Sequence, residues 1–188
     1  MDIWSVGHGA RPIENFLGVL AEAHVLTLTD VRSQPGSRRH PQFGAKTLEA
    51  TLGEVGIAYV HLPELGGRRE PRVDSPHRAL RVAAFRGYAD HMDTEEFARV
   101  YEHLVSLARE SRTAFMCAET LWWRCHRRLI ADRLTIDGWT VTHLFAPGVG
   151  APDGAGAPVK SEPHVLWDAA RTLDGNLVYD AGTLPLAP

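Results

Sequence analysis

An α/β fold, a compact three-layer domain around a mainly parallel central sheet of about five strands, is what this sequence predicts. Three observations carry the prediction. Short apolar runs rich in Val, Ile and Leu recur along the first 145 residues, as strands buried on both faces require. Segments with apolar residues at helical spacing lie between them. Glycine and proline punctuate the joins. Strands alternating with helices imply parallel pairing with helices on the sheet faces.

The elements follow in order. Ile3 to Val6 reads as a buried strand ending in Gly7-His8-Gly9. Pro12 suits a first helical turn, and Ile13, Phe16, Leu17 and Leu20 share a face. Val25 to Val31 is a second strand, followed by a polar loop from Arg32 to Gly44. Leu48, Leu52 and Val55 mark a helix that stops at Gly56. Ile57 to Leu62 is a third strand, and Leu65-Gly66-Gly67 opens an aperiodic, arginine-bearing stretch to Arg86 that reads as a surface excursion or lid. Asp93 with Glu96 resembles a capping box for a helix striped by Phe97, Val100, Tyr101, Leu104 and Leu107. Thr113 to Met116 is a fourth strand, Trp123 to Leu134 a helix, and Val141 to Phe145 a fifth strand. The expected organisation is one domain over residues 1–145, then a Gly/Ala/Pro-rich linker and a tail with a short helix around Val165 to Leu173.

Composition narrows the class of partner. A net charge of −3 argues against general coating of nucleic acid. No apolar run approaches the roughly 20 residues needed to span a bilayer, and Met1-Asp2-Ile3-Trp4 lacks a secretory pattern. A cytoplasmic protein without membrane partners is therefore expected, its two cysteines kept as thiols. Lysine occurs only at Lys46 and Lys160. The dominance of arginine reflects either genome composition or recognition of a planar anion, which the guanidinium fork matches.

Ligands in open α/β sheets sit beyond the carboxyl ends of the strands. Four such ends here are polar: Gly7-His8, Asp30-Val31-Arg32-Ser33, Leu65-Gly66-Gly67-Arg68-Arg69 and Cys117-Ala118-Glu119. The densest chemistry runs from Met116 to Arg128. Cys117 or Cys125 could be a nucleophile if neighbouring cations lower its pKa, whereas a lone cysteine is commonly a small buried hydrophobe. Glu119 and His126 could move protons. His8, Asp30, Arg32, Ser37, Arg38 and Arg127 are candidate substrate or anion contacts, hydroxyls and arginines being suited to phosphate. Cys117, Cys125 and His126 lack the paired C-x-x-C spacing of structural zinc, and adjacent residues on a helix point apart, so no metal is expected. The phosphate-loop, dinucleotide, nucleophile-elbow and H-E-x-x-H motifs are not found.

One further pattern points to a family. S-V-G-H near the start, D-V-R-S-x-P-x-S-R-R, L-G-G-R-R, F-R-x-Y-A-D-x-M, and M-C-A-E followed by C-H-R-R-L-I-A-D together resemble the bacterial domain of unknown function 488. The likeness runs from about Ile3 to Phe145. It implies a compact α/β domain in which Gly7, His8, Asp30, Arg32, Ser37, Arg38, Cys117, Glu119, Cys125, His126 and Arg127 are signature positions. It supplies no reaction. Gly9 stands where a serine is common, and Trp122 where a proline is common.

The functional expectation is an enzyme acting on a phosphate-bearing or other anionic substrate, such as a nucleotide or nucleic-acid component. Its catalytic groups would be Cys117, Glu119, Cys125 and His126. The alternatives are a non-catalytic nucleotide or nucleic-acid binding module and a thiol redox switch built on the two cysteines. No cofactor is indicated.

Overall fold

The computed structural model describes residues 1–36, 38–145, 160–173 and 176–180. Five strands lie parallel: β1 (Asp2–Gly7), β2 (Thr27–Asp30), β3 (Ala58–His61), β4 (Thr113–Cys117) and β5 (Thr140–Phe145). A sixth, β6 (Lys160–Pro163), adds antiparallel to β5, and the sheet order is β3-β2-β4-β1-β5-β6. The helices are α1 (Ile13–Glu22), α2 (Ala45–Glu54), α3 (Ala83–Met92), α4 (Glu95–Glu110) and α5 (Arg127–Ile136). None is long and apolar enough to cross a membrane.

Alternation along the strands divides the core into two layers, because successive side chains point to opposite faces. Val6, Leu28, Ala114, Met116 and Leu144 pack with Phe16, Val19 and Leu20 of α1 and Leu48 and Leu52 of α2. Ile3, Phe115 and Val141 pack with Tyr88 and Ala89 of α3, Phe97 and Leu104 of α4, and Leu129 and Ile130 of α5. Sequence-read elements and observed ones agree in type for all five parallel strands.

Four local expectations need correcting. The cap of α4 is Thr94, whose hydroxyl accepts the Phe97 amide at 3.2 Å, one residue beyond the expected Asp93. The stretch expected to be an excursion to Arg86 gives way to α3 at Ala83, and it is fastened to the body. His77 is fully buried, the Arg72 amide donates to Asp90, and Tyr88 donates to the Leu65 carbonyl. The expected helix from Trp123 is split: residues Trp122–Arg124 make one tight turn, Cys125 is extended at φ −124 and ψ 150, and α5 starts at Arg127. Of the segment read as linker and tail, residues 146–159 lie outside the described residues; its described part holds β6 and the antiparallel pair β7 (Ala170–Leu173) and β8 (Asn176–Tyr179), with β-structure where a short helix was expected. Ala170, Leu177 and Tyr179 join the core layer around α5, so burial rather than local composition orders them.

Candidate active site

The carboxyl ends of β1, β2 and β4 meet because those strands are neighbours in register, with Gly7 opposite Cys117 and Asp30 opposite Met116. Gly7 must lack a side chain: a Cβ there would strike the Glu119 carbonyl and come within 2.8 Å of Arg127 Nη2. The loops after β1 and β4 are thus pressed together, and the His8 and Gly9 amides donate to the Cys117 and Ala118 carbonyls at 3.0 and 2.9 Å.

Two buried arginines organise this edge. Arg32 Nε and Nη2 grip both oxygens of the buried Asp30 at 2.8 and 2.6 Å, the bidentate geometry that guanidinium and carboxylate share. Its Nη2 also reaches the Phe43 carbonyl at 2.8 Å, and Nη1 donates to His8 Nε2 at 3.0 Å. Tyr59 adds a 2.7 Å bond to Asp30. His8 stacks on Phe43 with ring centroids 4.1 Å apart. A guanidinium can only donate, so His8 Nε2 accepts and its Nδ1–H goes to the Gly9 carbonyl at 2.8 Å. Burial first, then the Arg32 charge, pushes His8 down to about 4, so the ring is neutral.

Arg127 is 1% exposed and is differently supplied. It donates to Ser5 Oγ at 3.1 Å, to the Glu119 carbonyl, and to Cys125 Sγ at 3.5 Å. None of these partners is a carboxylate. Cys125, 4% exposed, also lies 3.6 Å from His126 Nδ1. His126 Nε2–H donates to the Val31 carbonyl at 3.1 Å, which turns Nδ1 toward the sulfur. Burial pushes the Cys125 thiol up. The hydrogen bond from Cys117 and the charges of His126 and Arg127 outweigh it and hold Cys125 well below the usual thiol range. Cys117 is held well above that range, first by its bond to Cys125 and then by burial. The two shifts oppose each other, favouring the thiolate form at Cys125 and the thiol form at Cys117.

The extended backbone at Cys125 explains how neighbours in sequence converge: the helix begins after them, so they do not diverge around it. The Leu65–Arg69 loop closes the other side. A Cβ on Gly67 would lie 2.8 Å from His126 Nδ1, so the bare glycine leaves room for that ring, and Tyr88 packs behind it at 5.0 Å. Arg68 adopts φ 65, a left-handed conformation unfavourable for a residue with a Cβ and characteristic of functional loops. The resulting cleft is about 960 Å³ and is lined by Arg32, Ser33, Arg68, Arg69, Phe85, Cys117, Glu119, Arg124, Cys125 and His126.

Most of the expected site residues gather here. His8 and Asp30 lie beneath the cleft as supports of Arg32, and Arg127 lies beneath Cys125. Glu119 is exposed at the mouth, its carboxylate accepting the Leu121 amide at 3.1 Å. Arg38 is exposed and does not line the cleft. Ser37 lies outside the described residues. Sequence reading missed Ser5, Tyr59 and Tyr88, whose roles come from distant packing; it put Gly67 at the crevice without its role of making room for His126. It also missed a buried chain in which His143 Nε2 donates to His164 Nδ1 at 3.0 Å, while His164 Nε2 and the Tyr179 hydroxyl donate to Asp132, each at 2.8 Å.

Residues 12–134 match the profile of the family described as Domain of unknown function DUF488. The chain belongs to this family. No curated protein and no solved structure matches it. The matched span contains Asp30, Arg32 and the Cys117–Arg127 cluster, while β1, β5 and the residues beyond them lie outside it.

A metal has one arrangement of sulfur and nitrogen donors to use among the described residues: Cys117, Cys125 and His126 place their ligand atoms within 4.8 Å of one another. Arg127 already supplies positive charge 3.5 Å from the Cys125 sulfur. His77, Asp90 and Asp93 form a second group, but His77 Nδ1 accepts the Tyr179 amide, so its Nε2 carries the proton and faces Asp93 as a donor.

Proposed function

We propose that this DUF488 chain is an enzyme acting on a phosphate-bearing or other anionic substrate, of the size of a nucleotide or nucleic-acid component, with Cys125 as its thiolate nucleophile. The observation that carries the reading is a buried sulfur held 3.6 Å from His126 Nδ1 and 3.5 Å from Arg127 Nε on the wall of an arginine-lined cleft. A cysteine paired with a histidine and a cation is activated at neutral pH. Arg68 and Arg124 have no acceptor among the described residues, so their donors are free for an anion; Arg69 is tied to the Glu64 and Gly66 carbonyls. Arg32 spends four N–H groups on Asp30, His8 and Phe43 and keeps one. The cleft volume of about 960 Å³ suits a ligand much larger than a bare oxyanion.

In this reading the anion rests on Arg68 and Arg124, with its electrophilic centre toward Cys125. The bond to sulfur forms as the bond to the leaving group breaks, and the leaving group takes the proton held between His126 and Cys125. Glu119, exposed at the mouth, would accept a proton from the water that releases the product.

The test combines labelling with ligand binding. Iodoacetamide should label Cys125 at a pH well below that needed by an ordinary thiol. Nucleotides or phosphorylated metabolites should raise the melting temperature and slow that labelling, and an Arg68→Ala/Arg124→Ala protein should lose both effects. Salt-sensitive binding that persists unchanged in Cys125→Ser, with a thiol that labels no faster than free cysteine, favours a binding module and removes the enzyme reading.

A further inference from the structure

We propose that Cys117 and Cys125 form a reversible disulfide, and that closing it takes from the buried Arg127 its anionic partner and so turns the site into a stronger anion binder. This rests on Cys125 being the thiolate of the site. The two sulfurs lie within 4.8 Å of each other, and both residues line the cleft, where a small oxidant reaches them. Residues 118–124 connect them as loop and one tight turn, and Cys125 is extended rather than helical. The approach to bonding distance therefore asks for adjustment of side chains and loop, not the unwinding of a helix.

The chemistry balances with a hydroperoxide as oxidant. The Cys125 thiolate attacks the outer peroxide oxygen; an S–O bond forms, the O–O bond breaks, and the departing alkoxide or hydroxide takes a proton from solvent. The Cys117 sulfur then attacks the Cys125 sulfur. The S–S bond forms, the S–O bond breaks, and hydroxide leaves with the Cys117 proton as water. Two electrons pass from the sulfur pair to the peroxide.

The consequence comes from the charges around Arg127. Its other partners, Ser5 Oγ and the Glu119 carbonyl, are neutral. Arg11 lies close enough that the Arg127 charge, after burial, helps to draw it down to about 10, and its buried Nη1 has no hydrogen-bond partner among the described residues. Two cations thus share a region in which the Cys125 thiolate is the compensating anion. A disulfide carries no charge. Oxidation leaves Arg127 buried without a counter-charge, which is costly unless an anion enters. A cross-link ordinarily stabilises a fold by restricting its unfolded chain; here the lost ion pair opposes that gain. The same charge release accompanies any bond made at Cys125, so the field of Arg127, buried beneath that sulfur, draws an anionic group to this wall of the cleft at the moment the nucleophile is consumed.

Full-length protein treated with stoichiometric hydrogen peroxide should lose two hydrogens by intact mass and yield one peptide pair linked through Cys117 and Cys125; Cys117→Ser should instead carry an added oxygen on Cys125. In phosphate-free buffer the oxidised protein should melt below the reduced one, and inorganic phosphate should raise its melting temperature more than that of the reduced form. Over-oxidation of Cys125 with Cys117 left free overturns the disulfide, and an oxidised form that melts no lower and gains nothing from phosphate overturns the coupling to Arg127. If either happens while Cys125 still labels at low pH and is protected by ligand, this inference alone falls. If Cys125 reacts with neither peroxide nor iodoacetamide, the nucleophile reading falls with it.

Discussion

Arg32 and Arg127 are both buried at the same sheet edge, at 8% and 1% exposure, yet they are solvated by the protein in opposite ways. Arg32 sits in a closed set of partners: a bidentate carboxylate, a carbonyl and a neutral imidazole. Asp30 raises the Arg32 pKa despite burial, as expected for a charge pair that satisfies itself. Arg127 has a hydroxyl, a carbonyl and a sulfur. Arg32 is a brace, because its charge is already neutralised by the Asp30 carboxylate. Arg127 is set against the sulfur of Cys125, the group we propose as the nucleophile, so in that reading its counter-charge is the one that chemistry consumes.

The largest effect should come from breaking the satisfied pair. Asp30→Ala leaves Arg32 buried without its carboxylate and takes the acceptor of Tyr59, and should cost about 3–5 kcal/mol. Urea unfolding measures it, and a loss under about 1 kcal/mol would show that Arg32 is not held as described. Acid should produce a somewhat smaller loss. Unfolded His8 takes a proton near pH 6.5, whereas folded His8 stays neutral down to about 4. The unfolded state therefore binds more protons across that window, and stability falls as pH drops from 6.5 to 4, by on the order of 3 kcal/mol. Burial, then His164 and Arg127, pushes His143 down to about 2, so its loss continues below that window. His143 contributes to the drop between pH 6.5 and 4 as well, so His8→Asn should remove about half of it, and an unchanged profile would count against the His8–Arg32 contact. The smallest effect should be Cys125→Ala, at about 1–3 kcal/mol: the buried Arg127 loses the charge opposite it, but two oxygen acceptors still take its donors and limit the cost. If Cys125→Ala proves as costly as Asp30→Ala, the contrast between the two arginines is one of degree only.

Much of the fold was legible because strand burial writes itself into sequence. Runs such as Ala114-Phe115-Met116 are buried on both sides and read as continuous apolar segments. α3 was illegible for the opposite reason. Its buried residues include Gly87, Asp90 and His91, which no apolar period marks. β6 was illegible because a four-residue edge strand of Lys-Ser-Glu-Pro is made by pairing with β5, not by its own propensity. Within the site, residue types announced the thiols, the imidazole and the arginines, while nothing local told Arg32 from Arg127. Their sequence neighbourhoods, Asp-Val-Arg and Cys-His-Arg, hold the difference only once Asp30 and Cys125 are seen facing them.

The alternation of strands and helices, the polar ends of β1, β2 and β4, and membership of the DUF488 family can all be read from the chain before it folds. These follow from periodicity and from residue identity, both local properties. What folding alone settles is which arginine faces a carboxylate and which a sulfur, that Gly67 makes room for His126, and that residues 160–163, 170–173 and 176–179 contribute strands to the sheet edge and core. Charge compensation and close approach depend on which groups meet across long stretches of chain, and only folding brings Ser5, Val31, Glu119 and Arg127 to one edge.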